Sequence, residues 1–500
     1  MNKSINNIVE KLINKNLNKF KLLFFVSIIL FSCTKNPYTE KNDLTLFMNK
    51  NQEQKIGDIQ HNKIVNQYGG IYNSPSLGAY IASIGASIAN SAELEIDSFT
   101  FTVLNTPIVN AFALPGGYIY LTRGLIALCR NESELAFVIA HEMAHVIARH
   151  SAQRYSRDIL GKIGATIIGV SVDSGAAENL GNLVNDLALA RFSRANELEA
   201  DSLAIKYLIK SGYNPGSSSD FLNTLIELKE HQKNIGFSVS DSRSVFASHP
   251  PTVDRVESSR KLSLPYKKVN KNNNFIENVN GIIYGDDPSQ GILIDESFIH
   301  PSLNFSITIP DTFLVDNRAE ALTATKKNIA LIKIDTSSES NFHSDPIIYL
   351  KNIWQSNRKL ELIESIEIND FQAATGYFFT NGRINNYTGN IQVRYLAVRL
   401  DEKKYLRIIF VSRADDKRYS DKKFQSIASS LKKLNESDLK KSIPLRLFFI
   451  KIKSETDISK IIKNEMEGKF QNERFKLLNS LYKKNNLKKG TIIKILKYKK

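Results

Sequence analysis

The sequence predicts an α+β multidomain protein: a mainly helical domain with a small edge-strand sheet, then an α+β module, then a small basic βααβ module. Three observations carry this. At 500 residues the chain is too long for one core and suggests about three domains. Helical periodicity dominates the first half, over 77–93, 124–163, 177–211 and 217–233. Strand-like apolar runs dominate after residue 290, among them "NFSITIP", "IALIKID" and "GNIQVRYLAVRL".

Taken in order, residues 1–32 read as a leader and 33–75 as a polar tether with a weak helix. The first main domain covers 76–265. "LGAYIASIGASIANSAE" is an amphipathic helix with small residues on its packing face. "FTFTVLN" and "AFALPGGYIYLT" are strands, the second broken by Pro115-Gly116-Gly117. Residues 266–289 begin in a polar Asn/Lys stretch that reads as a linker. The module over 290–436 ends in the helix "SDKKFQSIASSLKKL" and carries no catalytic constellation. A basic segment, 443–500, closes the chain with a strand, two short helices and a final strand.

The formal charge of +16 is unevenly placed. Residues 1–32 hold five lysines and one glutamate, and 441–500 hold 17 Lys/Arg against five Asp/Glu, which leaves the body between them neutral. A nucleic-acid-binding body would keep its positive charge on the folded domains, so that class is disfavoured. Lys11, Lys15, Lys19 and Lys21 precede the apolar run "LLFFVSIILFS", which has signal-peptide length. It ends in Leu30-Phe31-Ser32-Cys33, which resembles a bacterial lipobox with Cys33 as the lipidated residue. Thr34 after the cysteine implies the outer membrane over the inner. Cys129 is the only other cysteine, so an acylated Cys33 leaves no intramolecular disulfide.

Chemistry is concentrated in "AFVIAHEMAHVIARH", residues 136–150. Asn131 followed by Glu134 fits a capping box at the start of this helix. His141 and His145 are four apart and project from one face, where two neutral imidazoles can hold one zinc. Glu142 lies about 100° around the helix, in reach of water at the metal without being a ligand. Coordination would compensate the desolvation of polar groups in so apolar a helix. About fifty residues on, in "FSRANELEADSLAIKYLIKSGYNP", Glu197 and Asp201 share a helix face. Glu197 as third ligand leaves a fourth position for water, and Asp201 is placed to fix the tautomer of a ligand histidine.

"HEMAHVIARH", "ELEAD" and "NAFALPGGYIYLTRGLI" together resemble the zinc metallopeptidase family of HtpX, the CAAX prenyl proteases and the BepA-type periplasmic proteases. The resemblance covers about 76–262 and implies a zincin-like fold with one Zn2+ per chain. It implies His141, His145 and Glu197 as ligands, Glu142 as general base and Asp201 behind the ligands. Asn110, Ala111, Phe112 and Ala113 would form an edge strand that pairs with extended polypeptide substrate, as an unpaired edge can. "ASHPPTVDRVE" resembles a segment of the soluble members. Its His249 would either close the fourth zinc position, keeping the enzyme latent, or assist catalysis once displaced. His150 is off the ligand face. The chain lacks the transmembrane helices of HtpX and the helical repeats of the BepA type. More weakly, 443–500 resembles a LysM module, with Glu455-Thr456-Asp457 where Gly-Asp-Thr is usual, which implies peptidoglycan binding.

These readings converge on a lipid-anchored zinc metalloendopeptidase of the bacterial envelope, facing the periplasm and acting on misfolded or stalled proteins. Two alternatives stay open: a chaperone or adaptor with a latent or structural zinc, and, less favoured, a peptidoglycan hydrolase.

Overall fold

The computed structural model describes residues 48–167, 191–234, 244–266, 274–337, 342–416, 418–481 and 486–499, with parts of 34–45. The leader and Cys33 lie outside the described residues. Within them no helix is long and apolar enough to cross a membrane.

The first domain is built around one helix. After α1 (Lys50–Gln67) and α2 (Pro75–Ser91) come three strands, β1 (Thr100–Leu104), β2 (Ala111–Leu114) and β3 (Tyr118–Thr122). Short α3 (Arg123–Leu128) leads into α4 (Glu132–Ile147). Residues 134–145 of α4 are all buried, which a helix apolar on every side requires. Then follow α5 (His150–Ile167), α6 (Arg194–Lys210), α7 (Ser217–Asn234), the single turn α8 (Val245–Ser248) and α9 (Val253–Ser263).

Asn131 caps α4 by accepting from the Glu134 N–H at 3.0 Å. The expected capping box stays half-made, because the Glu134 carboxylate accepts from the Arg130 N–H and guanidinium instead. The three-stranded sheet has the order β1-β3-β2, β1 parallel and β2 antiparallel to β3. The outer side of β1 is covered by residues 70–72, through Tyr72 N–H to Val103 O and Asn105 N–H to Gly70 O. Among the described residues that leaves β2 as the open edge.

Residues 275–279 are not plain linker: they form α10 (Phe275–Val279), and both end residues are buried in the first domain's core. The module after it has two sheets. Strands β4 (Ile292–Ile294), β5 (Ser297–His300) and β6 (Phe305–Thr308) join β14 (Lys432–Lys433) in the order β14-β6-β5-β4. The larger sheet contains β7 (Leu314–Asn317), β8 (Leu322–Lys326), β9 (Ala330–Thr336), β10 (Leu362–Ile368), β11 (Phe371–Ile384), β12 (Tyr387–Arg399) and β13 (Tyr405–Arg413). Its order is β10-β11-β12-β13-β9-β8-β7, antiparallel throughout. Alternating residues fill a core on each face, and α11 (Phe424–Ser429) covers one of them.

The C-terminal segment runs β15 (Leu445–Lys451), α12 (Ile458–Glu465), α13 (Gln471–Asn479) and β16 (Ile492–Tyr498), with β15 and β16 antiparallel. Two further two-residue strands, Thr456–Asp457 and Asn486–Leu487, pair antiparallel within it, so the expected βααβ order describes its longer elements alone. Its apolar residues, Leu447, Phe475, Ile493 and Leu496 among them, share one continuous core with the first domain.

Candidate metal centre

Two helices set the geometry. His141 and His145 project from one face of α4, and Glu197 and Asp201 stand one turn apart on α6, whose Ser193 cap fixes its start. The third segment is α8, which ends at His249. His141 Nε2 and His145 Nε2 are 3.1 Å apart, and His249 Nδ1 is 3.3 Å from His141 Nε2 and 3.0 Å from Glu197 Oε1. Glu197 oxygens lie 3.6 Å from the Nε2 atoms of both His141 and His145.

Tetrahedral zinc with bonds of 2.0–2.1 Å separates its ligands by about 3.3–3.4 Å, and the observed edges bracket that value. All four donors are buried and mutually within 4.8 Å. His141 Nδ1 lies 3.0 Å from Asp201 Oδ1, and His145 Nδ1 lies 2.9 Å from His150 Nδ1. With protons on those outer nitrogens, both Nε2 lone pairs face one point beside a carboxylate. Such an arrangement is repulsive unless a cation sits between the donors, so the residues fit zinc.

The electrostatics agree. Burial pushes His145 well below the ordinary imidazole value, keeping it neutral. Burial also opposes ionisation of Glu197, but His249 and Arg255 outweigh it and hold the carboxyl well below the usual range. Burial would lower His141 as well, yet its contacts with Asp201 and Glu197 carry it up to about 9, so a metal ion would take the place of a proton there. Glu142 is outside the ligand set, with Oε1 3.6 Å from His249 Nε2 and Oε2 buried without a hydrogen-bond partner. Burial raises its carboxyl above the ordinary value, a shift that favours holding a proton.

Two contributors escape a reading of the sequence. Arg255, on α9, forks onto Asp201 with Nε–Oδ2 and Nη2–Oδ1 both 2.7 Å, and its Nη1 is 2.7 Å from Glu197 Oε2. The signal was available: two carboxylates buried together demand a cation besides the metal, and Arg255 stands six residues after His249. His150 lies outside the four-donor group and meets His145 through its Nδ1. Phe192 stacks on His145 with ring centroids 4.1 Å apart and walls that side.

The strand expected over residues 110–113 is β2, Ala111–Leu114. Thr122 N–H donates to Asn110 O, so residues 110 and 122 form a hydrogen-bonded pair. By alternation the N–H and C=O of Ala111 and Ala113 point away from β3, while Phe112 packs inward against Tyr68 and Tyr120. Just before this edge, Val109 O accepts from Val245 N–H on α8 at 3.0 Å. The turn that delivers His249 to the ligands therefore also leans on the start of β2.

A His-Glu-x-x-His helix thus faces a Glu-x-x-x-Asp helix around one cation-sized space, and His141, His145, Glu197 and His249 could together hold a metal ion. Residues 75–263 match Peptidase family M48. The beta-barrel assembly-enhancing protease of Escherichia coli K12 is 31% identical over 221 residues, covering 42% of this chain and 43% of that one. The mitochondrial metalloendopeptidase OMA1 of Saccharomyces cerevisiae is 27% identical over 275 residues, covering 50% of this chain and 75% of that one. The chain spans less than half the length of the first curated relatives it matches.

Proposed function

We propose that the chain is a zinc-dependent endopeptidase of the bacterial envelope, held latent by His249. The observation that carries this reading is the tetrahedral spacing of four buried donors with an unpartnered Glu142 oxygen beside them. Zinc, when bound, supplies Lewis acidity toward a peptide carbonyl and toward water. The chain's residues do the rest. Ala111 and Ala113 hold extended substrate by its backbone. Glu142 takes the proton from the attacking water and delivers it to the leaving amine. Asp201 and His150 keep the ligand imidazoles in the tautomer that faces the metal. Displacement of His249 opens the position that substrate and water require.

The relatives' names, a beta-barrel assembly-enhancing protease and a mitochondrial metalloendopeptidase, support polypeptide substrates, and misfolded or stalled envelope proteins are the class we favour. Lipidation at Cys33 would tether the enzyme to the outer membrane, facing the periplasm. The βααβ order and the basic charge of 443–500 support a LysM-like affinity for peptidoglycan, which sedimentation with purified sacculi tests.

Cleavage of casein decides the catalytic reading. His249→Ala should be more active than wild type, and Glu142→Gln in that background should fall by at least about a hundredfold while keeping its zinc. If His249→Ala gains nothing, the filled fourth position favours the second reading, a chaperone or adaptor with structural zinc.

A further inference from the structure

A cleft of about 770 Å³ opens where the three parts of the chain meet, a volume typical of ligand sites. Pro107 and Val109 line it from the metallopeptidase domain, Leu293 and Val315 from the α+β module, and Phe470 and Arg474 from the C-terminal segment. Two sheets end in it. β7 is the terminal strand of the seven-stranded sheet, and β4 is the terminal strand of the four-stranded one. The outward N–H of β4, at Leu293, already donates to Asp286 Oδ2. β7 pairs only with β8 among the described residues.

The register of β7 fixes which groups it offers. Arg318 N–H donates to Ala321 O across a tight turn, which makes 318 and 321 a hydrogen-bonded pair. Counting back, 316 and 314 bond to β8, whereas the N–H and C=O of Val315 point away from it. An open strand edge is satisfied by another extended backbone. Beside this edge, Leu314, Phe470 and Tyr498 are each 42–43% exposed, an apolar contribution that a free surface rarely gathers. The charged lining is net acidic, with Asp286, Asp295, Asp311 and Asp316 against Lys469 and Arg474, which disfavours a polyanion.

Position argues for one occupant. Pro107 and Val109 line the cleft and immediately precede β2, so the cleft opens at the N-terminal end of the proposed substrate edge, beside the α8 turn whose Val245 N–H holds Val109 O. We infer that the cleft is a second binding site for polypeptide substrate, in which an extended apolar segment remote from the scissile bond adds a strand to β7 at Val315. The inference rests on the proposed peptidase reading and gives the α+β module a task within it: to hold an unfolded chain while the metal centre works.

The test uses the full-length, zinc-loaded Glu142→Gln protein with reduced, unfolded casein. Hydrogen exchange should show casein-dependent protection at 314–317 as well as at 111–113. Val315→Pro removes the outward N–H and spares the bonds to β8, a place where an edge strand tolerates proline. It should weaken casein binding about fivefold, the equivalent of one backbone hydrogen bond, with an unchanged melting temperature. Protection confined to 111–113, with undiminished binding by Val315→Pro, overturns the second site and leaves the peptidase reading standing. Absence of protection at both strands, together with no cleavage by His249→Ala, overturns both.

Discussion

Arg255 balances the charge of the site. Glu197 and Asp201 are both buried and ionised, and Arg255 is the cation that touches both while standing outside the metal's ligand set. Removing one member of a buried ion network leaves the others uncompensated, at a cost of about 3–5 kcal/mol. Arg255→Met should therefore lose roughly that much stability in urea unfolding and bind zinc more weakly, because an unscreened Asp201 competes for protons. Arg255→Lys, which restores charge without the fork, should fall between. Wild-type zinc affinity and unfolding in Arg255→Met would refute this role. The pairs that meet at the centre were legible as spacings, 141/145 on one helix and 197/201 on another. Arg255 and His150 were not, since they meet their partners only through packing between helices. A sequence shows which residues share a face, but not which faces meet.

At the scale of elements, the β2–β3 turn ties the proposed substrate edge to the domain. Gly116 and Gly117 both have positive φ, and a Cβ at Gly117 would come within 1.7 Å of Ser98 O. No side-chain adjustment relieves a clash with backbone, so Gly117→Ala must displace either the turn or residue 98. The expected result is a loss of more than about 1 kcal/mol of stability, with casein cleavage in the His249→Ala background falling further than stability explains, because Ala111 and Ala113 lose their alignment. Equal stability and cleavage would show that the turn does not set the edge. The turn was readable from Pro-Gly-Gly, as α4 was from its unbroken apolar run. α10 was not, because its buried pair Phe275 and Val279 sits in an Asn/Lys-rich stretch whose average composition masks an i, i+4 apolar spacing.

For the whole molecule, the C-terminal segment is joined to the metallopeptidase domain by more than a linker. Lys494, on β16, is buried and donates through Nζ to Ala127 O at 2.7 Å and to Cys129 O, at the C-terminal end of α3. Arg130, at the start of α4, donates to Ser480 Oγ at 2.8 Å. Two cations thus bridge the segments at the root of the helix that carries His141, and removing 443–500 would expose a core that Leu447 and Ile493 now fill. The basic charge of the tail suggested a wall-facing surface; one of those charges instead points inward, which periodicity could not reveal because a lysine inside an apolar strand reads as its solvent side. Burial lowers the Lys494 ammonium to about 8. A folded-state value below the unfolded one means that the unfolded chain binds the extra proton between about pH 8 and 10.5. Below pH 8 the folded state carries the full cost of the buried charge, and as pH rises through that window this cost is relieved by up to about 3 kcal/mol. Urea unfolding of wild type and Lys494→Met across pH 7.5 to 10 isolates the effect, since other titrating groups are common to both. The wild type should gain on the variant as pH rises; a constant difference would mean that the Lys494 ammonium is not desolvated and that the C-terminal segment sits less tightly on the catalytic helix than the shared core requires.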